Sequence, residues 1–347
     1  MNNDSWFCVY HTYSTSYSSS KKAIKLFEKD VEFAEKLGIK YIIMEDYYKN
    51  LNWGEYSVFW NKENLEKMIK IIHDHNMKFI PYIDATELTI LGDTYKKFGK
   101  KWSAKNKWGK IYSGFNSIFL PLAYPNPKFD FFTRLMCPKS GWHDYLLDQV
   151  NFLLNNLQID GIYIDRIDYR VKCYDVNHEN NAMHFQNGIP ELINDIVNEV
   201  KSFDSNYVSI MNDSCMPPDE IMVRCIKSVD FVLSELLPLD WNPNSLYNKI
   251  NIEWGDLAWK LRKLLRPIFQ VFVEMQFHSE SMTDINRIKK IVKRLSANIN
   301  PDRILLFTHR KDIKGLKTIK QVVSQTGANI CYFVGLKRLS VLKNDLL

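Results

Sequence analysis

The chain has 347 residues, 46% of them apolar and 25% charged, with 13 glycines and 12 prolines; this balance can bury a large core and excludes intrinsic disorder and collagen-like repeats. Its 46 basic residues face 40 acidic ones for a net charge of +6, so only a local basic patch would signal a polyanionic partner. Residues 1–20 lack the basic and apolar regions of a secretory signal and no segment approaches about 18 uninterrupted apolar residues, which predicts a cytoplasmic protein without a membrane partner, or a secreted one if a leader has been removed.

In chain order, β-rich runs alternate with amphipathic stretches. Strands are predicted over Trp6 to Thr12, Lys40 to Asp46, Lys78 to Asp84, Gly161 to Asp165, Tyr207 to Asp213, Phe231 to Glu235, Ile268 to Gln276 and Arg303 to His309. Helices are predicted over 21–38, 61–76, 142–157, 189–203, 218–228, 257–266, 284–299 and 316–327. The first two place apolar residues at i, i+3, i+4 and i+7 and close on Gly38 and Asn76, residue types that end helices. Repeated strand–helix units imply a parallel sheet covered by helices, and eight of them favour a closed (β/α)8 TIM barrel over an open doubly wound sheet. The open sheet would want a glycine-rich loop after strand one, and Tyr10 to Ser20 contains no glycine.

The expected organisation is therefore a single barrel over 1–347 with a long insertion after strand three, an 85–140 subdomain over the barrel mouth. That insertion holds Trp102, Trp108, Tyr112, Phe115 and the basic run from Lys96 to Lys110, too aromatic for disorder. A second long connection, Ile167 to Gly188, carries Tyr169, Tyr174, His178 and His184. Six cysteines lie far apart in sequence, without zinc-ligand spacing, and read as reduced, buried thiols; no metal and no cofactor are expected.

Active sites of such barrels lie at the C-terminal ends of the strands. Acidic residues gather there: Glu45 and Asp46, Asp84, Asp165, Asp213, Glu235 and Glu274. Carboxylates converging on one mouth repel one another and are costly unless function retains them. Alternation sends Ile162 and Ile164 to the helices and leaves Tyr163 and Asp165 facing the axis. The same logic puts Val208 and Ile210 on the helix side and Ser209, Met211 and Asp213 inside, and in strand seven it puts Gln270, Phe272 and Glu274 inside. Strand six is apolar on both faces and has no evident phase.

Asp160-Gly-Ile-Tyr-Ile-Asp165, following an amphipathic helix, resembles the fourth strand of retaining glycoside hydrolases of the α-amylase and melibiase-like superfamily. Lys40-Tyr-Ile-Ile-Met-Glu-Asp46, the helix with His73-Asp-His75-Asn, and Lys78-Phe-Ile-Pro-Tyr-Ile-Asp84 are similar to the second and third units of the same enzymes. The resemblance implies that Asp165 is the nucleophile. It departs from the amylases at Tyr163, where they carry an arginine, and those families normally carry a C-terminal β-sandwich beyond the barrel.

A retaining mechanism needs a second carboxyl group about 5–5.5 Å from the first, to protonate the leaving oxygen and later activate water. Glu235, beside apolar Leu236 and Leu237, is the first choice, Asp213 the second and Glu274 the third. Sugar hydroxyls would be held by His11, Asp46, Asp84, Arg166, Asn212, Glu274 and His309, with Tyr47, Tyr48, Trp53, Trp102 and Trp108 stacking on sugar faces. Lysines interleaved with tryptophans in the insertion point to an anionic glycan as one substrate class, while an acidic mouth argues against nucleic acid. The alternatives are a noncatalytic carbohydrate-binding barrel or a transglycosylase, since fold alone does not secure hydrolysis.

Overall fold

In a computed structural model, the described residues are 5–9, 21–36, 39–45, 47–48, 53–59, 61–114, 133–167, 169–179, 181–212, 219–236, 270–275, 304–309 and 329–333, with isolated positions Asn286, Lys289, Lys293, Gln321 and Gln325. The elements are β1 (Ser5–Val9), α1 (Lys21–Lys36), β2 (Ile39–Met44), α2 (Lys62–Asp74), β3 (Lys78–Asp84), β4 (Glu87–Thr89), a π-helical turn (Tyr95–Gly99), α3 (Lys100–Trp102), β5 (Thr133–Leu135), α4 (Trp142–Asn156), β6 (Gly161–Asp165), α5 (His184–Phe203), β7 (Val208–Asn212), α6 (Glu220–Ser228), β8 (Phe231–Leu236), β9 (Gln270–Met275), β10 (Ile304–His309) and β11 (Asn329–Phe333). The predicted helices over 257–266, 284–299 and 316–327 lie outside the described residues apart from those isolated positions, which are helical.

Nine of the described strands form one parallel α/β sheet curled on itself, in the order β1-β11-β10-β9-β8-β7-β6-β3-β2, and β1 also pairs with β2. The count from sequence stops at eight and leaves out Asn329–Phe333, which inserts between β10 and β1, pairing Phe307 with Cys331 and Trp6 with Cys331. Among the described residues no helix is long and apolar enough to cross a membrane.

Apolar side chains divide into two layers. Ile43, Ile80, Tyr82, Tyr163, Val208, Ile210 and Leu233 pack together on the inner face of the sheet. Ile42, Phe79, Ile83, Ile162, Ile164, Met211 and Val232 pack outward against helix residues such as Phe27, Ile69, Leu153 and Ile193. Both faces of a covered parallel strand are dry, so β7 places apolar Val208, Ile210 and Met211 on both of its faces. This overturns the phase expected for β7: Val208 and Ile210 face inward, Met211 faces the helices, and Ser209 turns to Asp230, its Oγ donating to Oδ2 at 2.9 Å.

Local chemistry fixes the element ends. Asn61 caps α2 by accepting from the Asn64 amide at 3.0 Å, and Asn76 beyond its end takes a left-handed φ of 55°. Gly161 opens β6 where a Cβ would stand 2.0 Å from the Val208 carbonyl oxygen, so β6 and β7 approach as closely as they do only because no side chain is there. Asp160 just before it ties two strands to a helix: its Oδ2 accepts from the Phe79 amide and bonds His73 Nε2, each at 2.8 Å.

The segment after β3 forms an antiparallel pair, β4 with β5, that sets Glu87 opposite Leu135 and Thr89 opposite Thr133. Leu88, Ala104, Leu135 and Met136 join the same apolar cluster as the helices, so the described part of the insertion shares the core of the sheet it leaves.

Candidate active site

Alternation along the inner face carries acidic side chains to the ends of three neighbouring strands. Tyr41 and Ile43 are followed by Glu45, Ile80 and Tyr82 by Asp84, and Tyr163 by Asp165. Register reinforces this, placing Tyr82 opposite Tyr163 and Asp84 opposite Asp165 on β3 and β6. Glu45 and Asp84 are buried. On β8, Glu235 stands at a register position of the same parity as Phe231 and Leu233 and pairs with Glu274. Asn212 lies opposite Leu233, so Glu235 stands two residues further along β8 than the partner of Asn212.

Asp165 is held from two sides. The Tyr82 hydroxyl donates to its Oδ2 at 2.9 Å, and the Arg166 amide donates to its Oδ1 at 2.7 Å. Tyr82 stacks on Tyr163 with ring centroids 5.7 Å apart, which fixes the donor's direction. Burial, then the charges of Asp165, Asp84 and Glu45, push the Tyr82 phenol well above its usual range, so it remains a donor at any ordinary pH.

Arg166 has a left-handed backbone, φ 59°, uncommon for a residue with a side chain. Its carbonyl accepts from Thr86 Oγ1 at 2.6 Å, and its Nε donates to Glu87 Oε1 at 2.9 Å. The guanidinium also bonds the Tyr169 hydroxyl and lies 4.9 Å from that ring's centre. Glu87 accepts further from Tyr169 at 2.5 Å and from Thr133 Oγ1 at 2.6 Å. The turn after Asp165 is therefore clamped by the first residues of the insertion.

Asp84 faces a different balance. Its Oδ1 accepts the amides of Thr86 at 3.0 Å and Glu87 at 2.8 Å, closing the turn into β4. Burial and the negative charges of Glu87 and Asp165 push its carboxyl well above the usual range, against the opposing pull of Arg166. Its geometry is that of a backbone-capping residue as much as of a substrate contact.

Other expected site residues divide by position. Asn212 is buried at the end of β7 and takes the inward place that the sequence reading had given to Asp213. Asp213, His11 and Asp46 lie outside the described residues, and Glu235, Glu274 and His309 are described in backbone only. Tyr47 and Tyr48 are corrected: both are buried, their rings 5.1 Å apart edge to face, and Tyr47 donates to the Tyr82 carbonyl at 2.8 Å, so they pack the core and offer no face to a sugar. Trp53 is half-buried and donates from Nε1 to Glu45 Oε1 at 3.3 Å. Trp102 stacks on Phe98 at 4.8 Å, whereas Trp108 is 78% exposed with Lys107 Nζ 4.5 Å over its ring. In the basic run, Lys96 is paired with Asp93 at 2.8 Å and Lys105 with Asp175 at 2.5 Å.

Sequence reasoning set Glu45 among the acidic strand ends but gave the substrate contact to Asp46, and it gave no site role to Tyr82, Glu87 or Tyr169. Alternation in Tyr41-Ile-Ile43-Met-Glu45 would have selected Glu45 over Asp46. Sequence reasoning also noted His178 and His184 and read the cysteines as separate buried thiols without joining Cys137, Cys173, His178 and His184, whose ligand atoms all lie within 4.8 Å of one another although the cysteines are far apart in the chain.

A sequence profile described as Domain of unknown function (DUF6259) matches residues 4–209. The chain belongs to that family. No curated protein matches it. Among solved structures, α-L-fucosidase isoenzyme 2 from Paenibacillus thiaminolyticus superposes with a TM-score of 0.58 at 11% identity, covering 92% of this chain and 49% of that one. The α-galactosidase AgaA from Geobacillus stearothermophilus, solved with raffinose, gives 0.56 at 10% identity over 98% and 40% of the two chains. The α-galactosidase TtGalA from Thermus thermophilus gives 0.52 at 9% identity over 94% and 57%. This DUF6259 chain thus spans roughly half the length of the structures it matches, and the likeness shows a glycoside hydrolase-like α/β fold.

Proposed function

We propose that this chain is a barrel-type catalytic domain that cleaves a glycosidic bond in an oligo- or polysaccharide with retention, Asp165 acting as nucleophile and Glu235 as acid/base. The observation that carries the reading is the Asp165 carboxylate at the C-terminal end of β6, oriented by the Tyr82 hydroxyl and the Arg166 amide. The glycosidase fold of the structural neighbours agrees with it.

In the first step an Asp165 oxygen attacks the anomeric carbon while the acid donates its proton to the departing oxygen, giving a glycosyl ester and a free alcohol. In the second, the same residue, now a base, takes a proton from water, whose oxygen displaces Asp165 and regenerates the carboxylate. Tyr82 and the Arg166 amide favour the ionised, correctly turned carboxylate before attack. Glu274, in register with Glu235, is the second candidate for the acid. The inward parity of Asn212 withdraws the argument that had favoured Asp213.

The test is intact-mass spectrometry after incubation with a panel of fluorinated glycosyl fluorides, which trap a retaining nucleophile as an ester. An adduct on the peptide containing Asp165 supports the reading, and its mass names the sugar class. A folded protein that binds glycans without forming an adduct or releasing product would favour the noncatalytic barrel.

A further inference from the structure

Away from the carboxylates, the return strand of the insertion meets the loop after β6. Cys137 follows β5, Cys173 and His178 lie in the loop, and His184 is the first residue of α5. Backbone hydrogen bonds hold the four in place: the Cys137 amide to the Trp102 carbonyl at 2.8 Å, the Cys173 amide to Ala182 at 3.0 Å, the His178 amide to Asp175 at 3.0 Å, and the His184 amide to Asn181 at 3.0 Å. The two sulfurs and two ring nitrogens lie within 4.8 Å of one another.

The two histidines are prepared differently. His178 Nε2 sits 2.7 Å from the Lys101 carbonyl, which can only accept, so the proton is on Nε2 and the lone pair of Nδ1 points toward Cys173 Sγ at 3.4 Å. A backbone carbonyl fixing one ring nitrogen so that the other is free to ligate is the usual support of a metal-bound histidine. His184 is 1% exposed, and neither of its ring nitrogens has a hydrogen-bond partner among the described residues. A dry imidazole with both polar atoms unanswered is unfavourable unless something fills the space beside it.

From this geometry we infer that Cys137, Cys173, His178 and His184 bind one zinc ion in a closed, structural Cys2His2 site. Two sulfur and two nitrogen donors suit zinc, which four protein ligands saturate without leaving a position for water. Bond lengths of about 2.3 Å to sulfur and 2.0–2.1 Å to nitrogen give tetrahedral edges of about 3.3–3.8 Å, so the cluster has only to contract slightly around the ion. Each ion bound releases the two thiol protons to solvent, and the resulting thiolates neutralise its charge. The site joins the insertion, the β6 loop and α5 at one point, and it is independent of the glycosidase reading.

The test uses the full chain, expressed with zinc and dialysed into metal-free buffer. Elemental analysis is expected to give about one zinc per chain, and exchange with cobalt(II) to give the intense visible bands of tetrahedral cobalt with a thiolate charge-transfer band. Cys173→Ser and His184→Gln should lose the metal, while Cys225→Ser, a buried cysteine outside the cluster, should keep it. Should the first two variants fail to fold, the cobalt spectrum of the unaltered chain decides. Folded protein that binds no zinc, an octahedral cobalt spectrum, folded ligand variants that retain the ion, or a Cys137–Cys173 disulfide in freshly purified protein would each overturn the assignment.

Discussion

The strand ends around Asp165 and the cluster around His184 bury polar groups by opposite means. At the strand ends, carboxylates meet donors supplied by the protein itself: Tyr82 and the Arg166 amide on Asp165, Arg166, Tyr169 and Thr133 on Glu87, and two backbone amides on Asp84. At the cluster, sulfur and nitrogen donors converge, and the imidazole of His184 finds no protein partner among the described residues. A network of oxygens closed by hydroxyls and guanidinium needs nothing from outside, whereas a set of soft donors facing one another is complete only with a cation between them.

The sharpest way to break that contrast is at Asp165. Asp165→Asn keeps the side-chain shape and the acceptor oxygen for the Arg166 amide, turns an NH2 group toward the Tyr82 hydroxyl and removes the nucleophilic charge, and turnover of activated glycosides should fall by at least ~10³-fold with an unchanged circular dichroism spectrum. Full activity in that variant would remove Asp165 from the mechanism. Next in size are two structural changes. Gly161→Ala drives a methyl group against the Val208 carbonyl and should cost about 3 kcal/mol or more in urea unfolding. Glu87→Gln, which removes the charge of the buried carboxylate paired with Arg166, should cost about 3 kcal/mol by the same measurement.

A smaller change tests positioning. Tyr82→Phe removes one hydrogen bond to a charged carboxylate, a loss of roughly 10- to 100-fold in kcat/KM. The loss should fall on kcat more than on KM, a split that a merely structural tyrosine would not produce. Smallest is Asp84→Asn. The folded-state pKa of Asp84 is raised above the usual 3.8, so its contribution to stability is full below that value and is lost as pH rises through the folded pKa. Asn keeps the acceptor for Thr86 and Glu87 without the charge, so the variant should gain on the parent as pH rises; urea midpoints measured at several pH values would show a constant difference if Asp84 were not shifted.

How much of this was legible in sequence depended on contrast within each strand. In Gly161-Ile-Tyr-Ile-Asp165 the polar and apolar residues alternate, and Asp165 could be phased correctly from sequence. In β7 Val208, Ile210 and Met211 are all apolar, both faces are dry, and alternation carries no sign; the wrong choice sent Asp213 inward in place of Asn212. Asn329–Phe333 went uncounted among the strands because nothing in five residues says which edges they join, a fact that belongs to the pairing of the sheet. The Cys/His cluster escaped because Cys137 comes from the far end of the insertion. Only Cys173, His178 and His184, spaced five and six residues apart, left a local trace.

The clamp on Arg166 bears on how this scaffold could be re-engineered. Thr86 and Glu87 are the second and third residues of the 85–140 segment, yet they grip the backbone and side chain of the residue that follows Asp165. Exchanging the whole 85–140 segment for a foreign loop would therefore leave the Asp165–Arg166 turn without its outer wall and free the left-handed residue to relax. A chimera that begins its graft after Leu88 keeps that wall, so the tolerable crossover point lies inside the insertion and not at its apparent boundary.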